Sequence, residues 1–337
     1  MMYFVSRLLP LTSVALLAFA ASGCEALDDM NPTGGNSEKG YFQITPEADL
    51  AKGAKLTFSI GDYESFSGSK SGVDLEAPKS SDTNVVTVQS HDDEGSVVLK
   101  GVDEGSASIS FSARADGDRI DDEFLVRVTE VTKLSLAPCV TNGAYARGKK
   151  AQIRYMFNEG AKRKVLGRGL YPFSVSPSSS MTLDKSGSDE NYFAFEIDDD
   201  AADEIEVRSK ISGDDEKLVL PVVDENEIEG LVALNPTSTV AGATIDVDLR
   251  PIVNGRPLCS KIRKVFRSLN THACTIDGAT DGELDTTAFT ATVLLNAVDA
   301  CQLLVEFPDI SRSFAFETVY VTEPPRSSGG SSIDFDD

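Results

Sequence analysis

Three stretches of this chain follow one plan. Ile44 to Ile60 (ITPEADLAKGAKLTFSI), Leu136 to Phe157 (LAPCVTNGAYARGKKAQIRYMF) and Leu234 to Leu249 (LNPTSTVAGATIDVDL) each place a proline two residues after an apolar one: Pro46, Pro138 and Pro236. A variable turn follows, then a glycine (Gly53, Gly148, Gly242), then a run in which apolar and polar residues alternate. Later landmarks recur as well: RKVLGR from Arg163 with RKVFR from Arg263, FAFEI from Phe193 with FTATV from Phe289, and AADEIEV from Ala201 with AVDACQLLV from Ala297. A fixed period means one structural unit repeated. Here the period is about 90 to 100 residues, which predicts three units of about seven short strands each.

The intervening sequence supports strands throughout. KLTFSI, VVTVQS, SVVLKGV, SASISFSA and EFLVRVTEV alternate in polarity, are rich in Val, Ile, Thr and Phe, and are separated by Gly, Asp, Ser and Asn. No window reads as a capped amphipathic helix, so the fold class is all-β. The string GAYARGKK, Gly143 to Lys150, has the G-x-x-x-x-G-K spacing of a phosphate-binding loop, but Lys150 stands where Ser or Thr should follow. Such a loop needs a helix after it, whose N-terminal amides face the phosphate. KAQIRYMF alternates as a strand instead, so Gly148 is read as a turn residue, like Gly53 and Gly242.

The first unit resembles the bacterial immunoglobulin-like domains, group 2 type, found in surface proteins. TPEADLAKGAKLTFSI, the stretch from Ser80 to Ala113 and the closing DDEFLVRVTEV carry the likeness, and Gly105-Ser106-Ala107-Ser108-Ile109 matches the family's G-T-A-x-I rhythm. Gly95, Val98 and Gly101 are spaced more loosely than the family's G-x-V-x-G, and its middle-strand aromatic is absent. The resemblance implies an immunoglobulin-like β-sandwich at 40–132, and the internal similarity of the repeats extends that expectation to tandem sandwiches at 133–226 and 227–323.

The amino terminus carries an address. Arg7, an apolar run from Leu8 to Phe19 and the small residues Ala20 to Gly23 form a secretory signal, here 1–23, too short to span a bilayer. Cys24 directly after Ala21-Ser22-Gly23 resembles the lipobox of bacterial lipoproteins. The resemblance implies cleavage before Cys24 and acyl chains on it, and Glu25 in place of a retention aspartate implies the outer membrane. More than one acyl chain is what stable tethering requires. Residues 24–39 are read as a lipidated, flexible spacer, and 324–337 as a disordered acidic tail.

The chain holds 31 Lys and Arg against 54 Asp and Glu, a formal charge of −23, and loss of Arg7 with the leader makes the mature form one unit more negative. That excess argues against nucleic acid as a partner. Positive charge nevertheless clusters at Arg147, Lys149, Lys150, Arg154, Lys162, Arg163, Lys164 and Arg168, and again in RPLCSKIRKVFR. Read as a face, Arg147, Lys149, Lys150, Lys162, Arg163, Lys164 and Arg168 form a contact for an anionic glycan, a lipid headgroup or a protein partner; read plainly, they are solvated strand residues matched to acids. EIDDDAADEIE and ADGDRIDDE offer oxygen ligands for calcium but lack the D-x-[DN]-x-[DN]-G loop.

Beyond Cys24 four cysteines remain, Cys139, Cys259, Cys274 and Cys301, an even number suited to an oxidising compartment. No C-x-x-C spacing suggests zinc or redox chemistry. Three pairings are open. Strand topology favours Cys139 with Cys259 across the joint of units two and three, leaving Cys274 with Cys301. For catalysis the sequence offers only Ser67-x-x-Lys70 in a Ser and Gly loop, His91 in an acidic turn, and His272, read as a strand-edge residue. No catalytic residue, metal site or cofactor is assigned. The reading is a lipid-anchored, non-catalytic envelope protein serving adhesion or scaffolding. The alternatives are carbohydrate- or calcium-dependent surface binding through the basic faces of units two and three, and an envelope enzyme with an unfamiliar site.

Overall fold

The computed structural model describes residues 35–62, 73–115, 118–159, 163–234, 238–297 and 300–322. Within them lie 28 strands and two short 3-10 helices, Glu225–Glu227 and Pro308–Ile310. The leader, Cys24, Ser67, Lys70, Lys162, Pro236 and the tail from 323 fall outside the described residues.

The first unit contains β1 (Gly35–Asn36), β2 (Phe42–Thr45), β3 (Asp49–Ala51), β4 (Lys55–Asp62), β5 (Glu76–Ser80), β6 (Val86–His91), β7 (Ser96–Gly101), β8 (Gly105–Ala115) and β9 (Asp118–Thr129). One sheet runs β1-β2-β4-β7-β6 and the facing one β3-β9-β8-β5. With β2 to β9 lettered A, A′, B, C, D, E, F and G, the sheets read ABED and A′GFC. That is the strand order of an immunoglobulin-like sandwich.

The second unit has β10 (Lys133–Pro138), β11 (Tyr145–Ala146), β12 (Lys150–Glu159), β13 (Arg163–Leu166), β14 (Phe173–Ser176), β15 (Met181–Asp184), β16 (Tyr192–Ile197), β17 (Glu204–Ser209) and β18 (Lys217–Val223). Its sheets, β10-β12-β16-β15 and β11-β18-β17-β14, repeat that order, with β13 added after the B strand β12. The third unit comprises β19 (Gly230–Ala233), β20 (Ser238–Val240), β21 (Thr244–Val253), β22 (Arg256–Pro257), β23 (Lys264–Ser268), β24 (Cys274–Ile276), β25 (Glu283–Thr286), β26 (Thr290–Leu295), β27 (Ala300–Phe307) and β28 (Arg312–Thr322). It pairs as β19-β21-β26-β24 and β20-β28-β27-β23-β25, the same order with β25 added beyond strand C.

Alternation explains the cores. Along β12 every second side chain is buried, from Ala151 through Ile153 and Tyr155 to Phe157, while Lys150, Arg154 and Met156 face out. The first core gathers Phe42, Phe58, Phe111 and Phe124, the second Tyr155, Phe157, Phe193 and Phe195, the third Leu249, Phe266, Val293 and Phe307. Each such burial contributes about 1.5 to 3 kcal/mol.

The repeated punctuation has a structural reason. Pro46 and Pro138 sit where the chain leaves strand A and crosses to A′ in the other sheet, and a residue with no N–H ends the ladder there. Gly53, Gly148 and Gly242 precede the three B strands with φ of +83°, +65° and +85°, backbone that favours glycine.

Two expectations change. The spacer read as 24–39 ends sooner: Gly35 and Asn36 already pair with Ile44 and Gln43, and buried Ser37 in the following turn donates to Asp122 at 2.6 Å. RKVLGR and RKVFR are not equivalent: the first forms β13, the second strand C of its unit, β23. Basic residues flanking short apolar runs suit any half-exposed strand, so the likeness carried no topology.

Candidate functional site

Among the described residues, three members of the basic cluster read from the sequence turn to separate acids. Arg147 reaches back to the Ala201 carbonyl at 3.0 Å and pairs with Asp203. Lys149 meets Glu225 at 2.8 Å and Lys150 meets Asp184 at 3.7 Å, so these three are matched to acids. Arg163 and Lys164 pair through the main chain with Glu159 and Asn158, and Lys162 lies outside the described residues. Alternation on β12 then turns Arg154 outward on the far side of the sheet from the core. In the third unit Arg263 pairs with Asp285 at 2.7 Å and Arg267 with Glu283 at 2.9 Å, so two of the five bases in that string are matched to acids.

Arg168 is different, because the joint between units one and two moves it. After the β12 turn, β13 stays paired with β12 on one side and on the other lies parallel to β3 of the first unit, Val165 against Asp49 and Leu166 against Leu50. This joins the two units in one nine-stranded sheet. Two residues on, Arg168 and Lys55 exchange main-chain hydrogen bonds of 2.8 and 2.9 Å. Leu166 enters the first core, while Ala51 and Ala54 of the first unit enter the second.

The joint between units two and three is built the same way. Leu258, just past β22, bridges Ala144 in parallel, and Ser260 bridges Ala151 in antiparallel sense. The Cys259 amide donates to the Ala144 carbonyl at 2.7 Å, the Lys261 amide to Lys150 at 2.7 Å, and the buried Ser260 hydroxyl accepts from the Ala146 amide at 2.7 Å. Cys259 packs into the second core and is bonded to Cys139, while Cys274 is bonded to Cys301 within the third unit. In both joints the segment after strand B of one unit adds to the A′ edge of the unit before it.

The first joint frames a cleft of about 550 Å³, lined by Gly53, Lys55, Lys100, Arg168, Gly169, Tyr171, Lys185, Ser186 and Ser188. Lys55 stands opposite Lys100 across β4 and β7 and opposite Arg168 across the joint, so three cations form one row over β7, β4 and the segment just past β13. Lys185 arrives from the turn after β15. That turn is set by Asp184, which accepts from the Ser186 hydroxyl at 2.6 Å and the Gly187 amide at 3.0 Å, bonds that hold its carboxyl below the usual carboxylate range. Tyr171 is fixed by Phe193, 5.7 Å away centre to centre, and by donating to the Lys185 carbonyl. The acids adjoining these residues in sequence are engaged elsewhere: Asp103 with Lys52 at 2.6 Å and Asp184 with Lys150. Of the cations of this site the sequence singled out Arg168 alone.

Other candidates do not gather partners. His91 is exposed at the end of β6, and His272 is exposed in the turn before β24, not on a strand edge. Among the described residues no group of three or more His, Cys, Asp or Glu side chains is placed to hold a metal ion, and no helix is long and apolar enough to cross a membrane.

No family model matches the chain, and no curated protein matches it. Among solved structures, domains 5-6 of the S-layer protein SbsC align over 55% of this chain and 97% of that one, with 15% identity and a TM-score of 0.26. The D00-D0 domain of intimin aligns over 56% of this chain and 100% of that one, with 11% identity and a TM-score of 0.23. The Bacteroides ovatus mixed-linkage glucan utilization locus protein SGBP-B, solved with a mixed-linkage heptasaccharide, aligns over 82% of this chain and 66% of that one, with 12% identity and a TM-score of 0.26. Superpositions this loose add nothing to the strand order, on which the fold rests.

Proposed function

We propose that this chain is a lipid-anchored, non-catalytic protein of the bacterial cell envelope, held to the outer membrane by acyl chains on Cys24. Its sandwiches act as one stiff module that presents their loops and edges to other envelope components. The observation that carries the reading is the repeated joint. Domains strung on linkers move independently by default. Here each pair shares main-chain hydrogen bonds and exchanges side chains between cores, and the second pair adds a disulfide. Bending either joint would expose paired backbone groups and apolar surface together, costs that a scaffold or adhesin shaft exploits to hold its shape.

Amide hydrogen exchange on the mature chain tests this. The amides of Lys55, Arg168, Cys259 and Lys261 are expected to exchange as slowly as those in the centre of β12, since they open only with the sandwiches. Exchange at the rate of surface turns would mean flexible beads, and the stiff-module reading would fail.

A further inference from the structure

The cleft at the first joint is a site of its own, and it does not depend on the lipid anchor. We propose that it binds an acidic polysaccharide, with carboxylate or sulfate groups on the Lys100, Lys55 and Arg168 row and on Lys185, and a sugar ring against Tyr171.

Three observations carry this. First, the four cations have no ion-pair partner among the described residues, although the chain holds 54 acids for 31 bases and most of the other lysines and arginines discussed above are paired. Second, like charges directly opposite one another on neighbouring strands destabilise a sheet. The Lys55 and Arg168 main chains exchange both hydrogen bonds, so Lys55 faces Lys100 as the closer, non-hydrogen-bonded kind of pair. A row arranged this way works against folding until an anion lies along it. Third, the cleft has the size of a ligand site, and a cleft lined by one sign of charge focuses its field through the low-dielectric protein around it.

The lining selects among anions. Arg168 offers a planar fork suited to a carboxylate or sulfate, and the three lysines supply point charges around it. Tyr171 suits the apolar face of a pyranose, a surface that an inorganic ion does not have, while the hydroxyls of Ser186 and Ser188 are taken up by the turn around Asp184. The overall charge of −23 disfavours a long nucleic acid or an anionic membrane approaching the whole surface, whereas a slender saccharide enters one cleft.

Calorimetric titration of the full mature chain with oligogalacturonate tests the proposal, beside the same oligosaccharide with its carboxyls reduced to alcohols. Binding of the charged form, weakening at least about tenfold in the Lys100→Gln, Arg168→Gln double variant and falling with salt, is the expected result. Lys100→Gln alone is expected to melt at or above the parent temperature, because it breaks the like-charge row, so loss of binding is not loss of fold. Arg154→Gln, outside the cleft, is expected to change affinity less than twofold. Equal binding of the neutral form, an equal effect of Arg154→Gln, or no binding of either oligogalacturonate or its sulfated counterpart overturns the proposal. So does tighter binding of a peptide of residues 327–337, which would make the cleft a socket for the acidic tail of another copy.

Discussion

Lys264 has no exposed surface, and its ammonium nitrogen makes no hydrogen bond. The nitrogen lies 5.2 Å from the centre of the Phe289 ring and 5.8 Å from that of Phe266. Arg250, also buried, stacks 4.0 Å over Phe289, pairs with Asp248 at 3.0 Å and donates to Cys139 Sγ at 2.8 Å. Two cations thus share one carboxylate beside the second joint. Burial pushes the Lys264 pKa down from 10.5 to about 8; Asp248 opposes the shift and Arg250 adds to it.

The consequence for stability has a definite sign. Below pH 8 the lysine is protonated in both states, and holding it so in the core costs the native state up to about 3 kcal/mol. Between pH 8 and 10.5 the unfolded chain keeps the proton and the native one has released it, so stability rises with pH across that window and levels off above it. Lys264→Met keeps the volume and removes the charge. It is expected to stabilise the third sandwich by about 1 to 3 kcal/mol at pH 7, less than the full figure because the contacts to Phe289 and Asp248 are lost too. Urea unfolding followed by near-ultraviolet dichroism at pH 7 and pH 10.5 reads this out: the advantage of the variant should shrink to near zero at the higher pH. A variant less stable than its parent at pH 7, or a gap indifferent to pH, would refute the argument.

The disulfides separate by location. Cys139→Ser with Cys259→Ser is expected to cost about 2 to 4 kcal/mol and to speed exchange of the Ala144 and Cys259-position amides, whereas Cys274→Ser with Cys301→Ser lowers the third sandwich's melting and leaves those amides protected. Labelling cells with a palmitate analogue is expected to mark the parent chain and leave Cys24→Ser unmarked and released from the membrane fraction; label on both, or on neither, removes the anchor.

Strands, units and turns were legible because their signals are local. Period-two alternation placed β4, β6, β7, β8 and β9; Pro46 and Pro138 mark sheet crossings, and the glycine of each repeat marks a left-handed turn that only a few residues accommodate. FAFEI and FTATV do fall in equivalent E strands, β16 and β26, and AADEIEV and AVDACQLLV in equivalent F strands, β17 and β27. Which pole of a sandwich each strand end faces favoured the cysteine pairs found, but it left the two other pairings open. The cleft followed from none of this. Lys55, Lys100, Arg168 and Lys185 belong to four separate stretches, and what brings them together is main-chain pairing across a joint, which leaves no periodic trace. Neighbourhood in sequence pointed instead to Arg147, Lys149 and Lys150, which β12 and its preceding turn deliver to three different acids.

Joint and cleft therefore stand or fall together, and Gly167 is where that linkage can be tested. It lies between Leu166, which plugs the first core, and Arg168, the third cation of the row. Its φ is +154°, and a Cβ there would come within 2.5 Å of the Ala54 Cβ, a short side chain with no room to yield. Gly167→Ala should lift β13 from β3, at a cost of about 1 to 3 kcal/mol at the joint while each sandwich keeps its own core. Exchange at Lys55 and Arg168 should then quicken while β12 and β7 remain protected, and affinity for oligogalacturonate should fall although no cation has been removed. If the joint opens and binding persists, Lys55, Lys100 and Lys185 suffice without Arg168. Faster exchange throughout β4 and β12 would instead mean that the sandwiches need the joint to fold, making it part of their cores and not a connection between them.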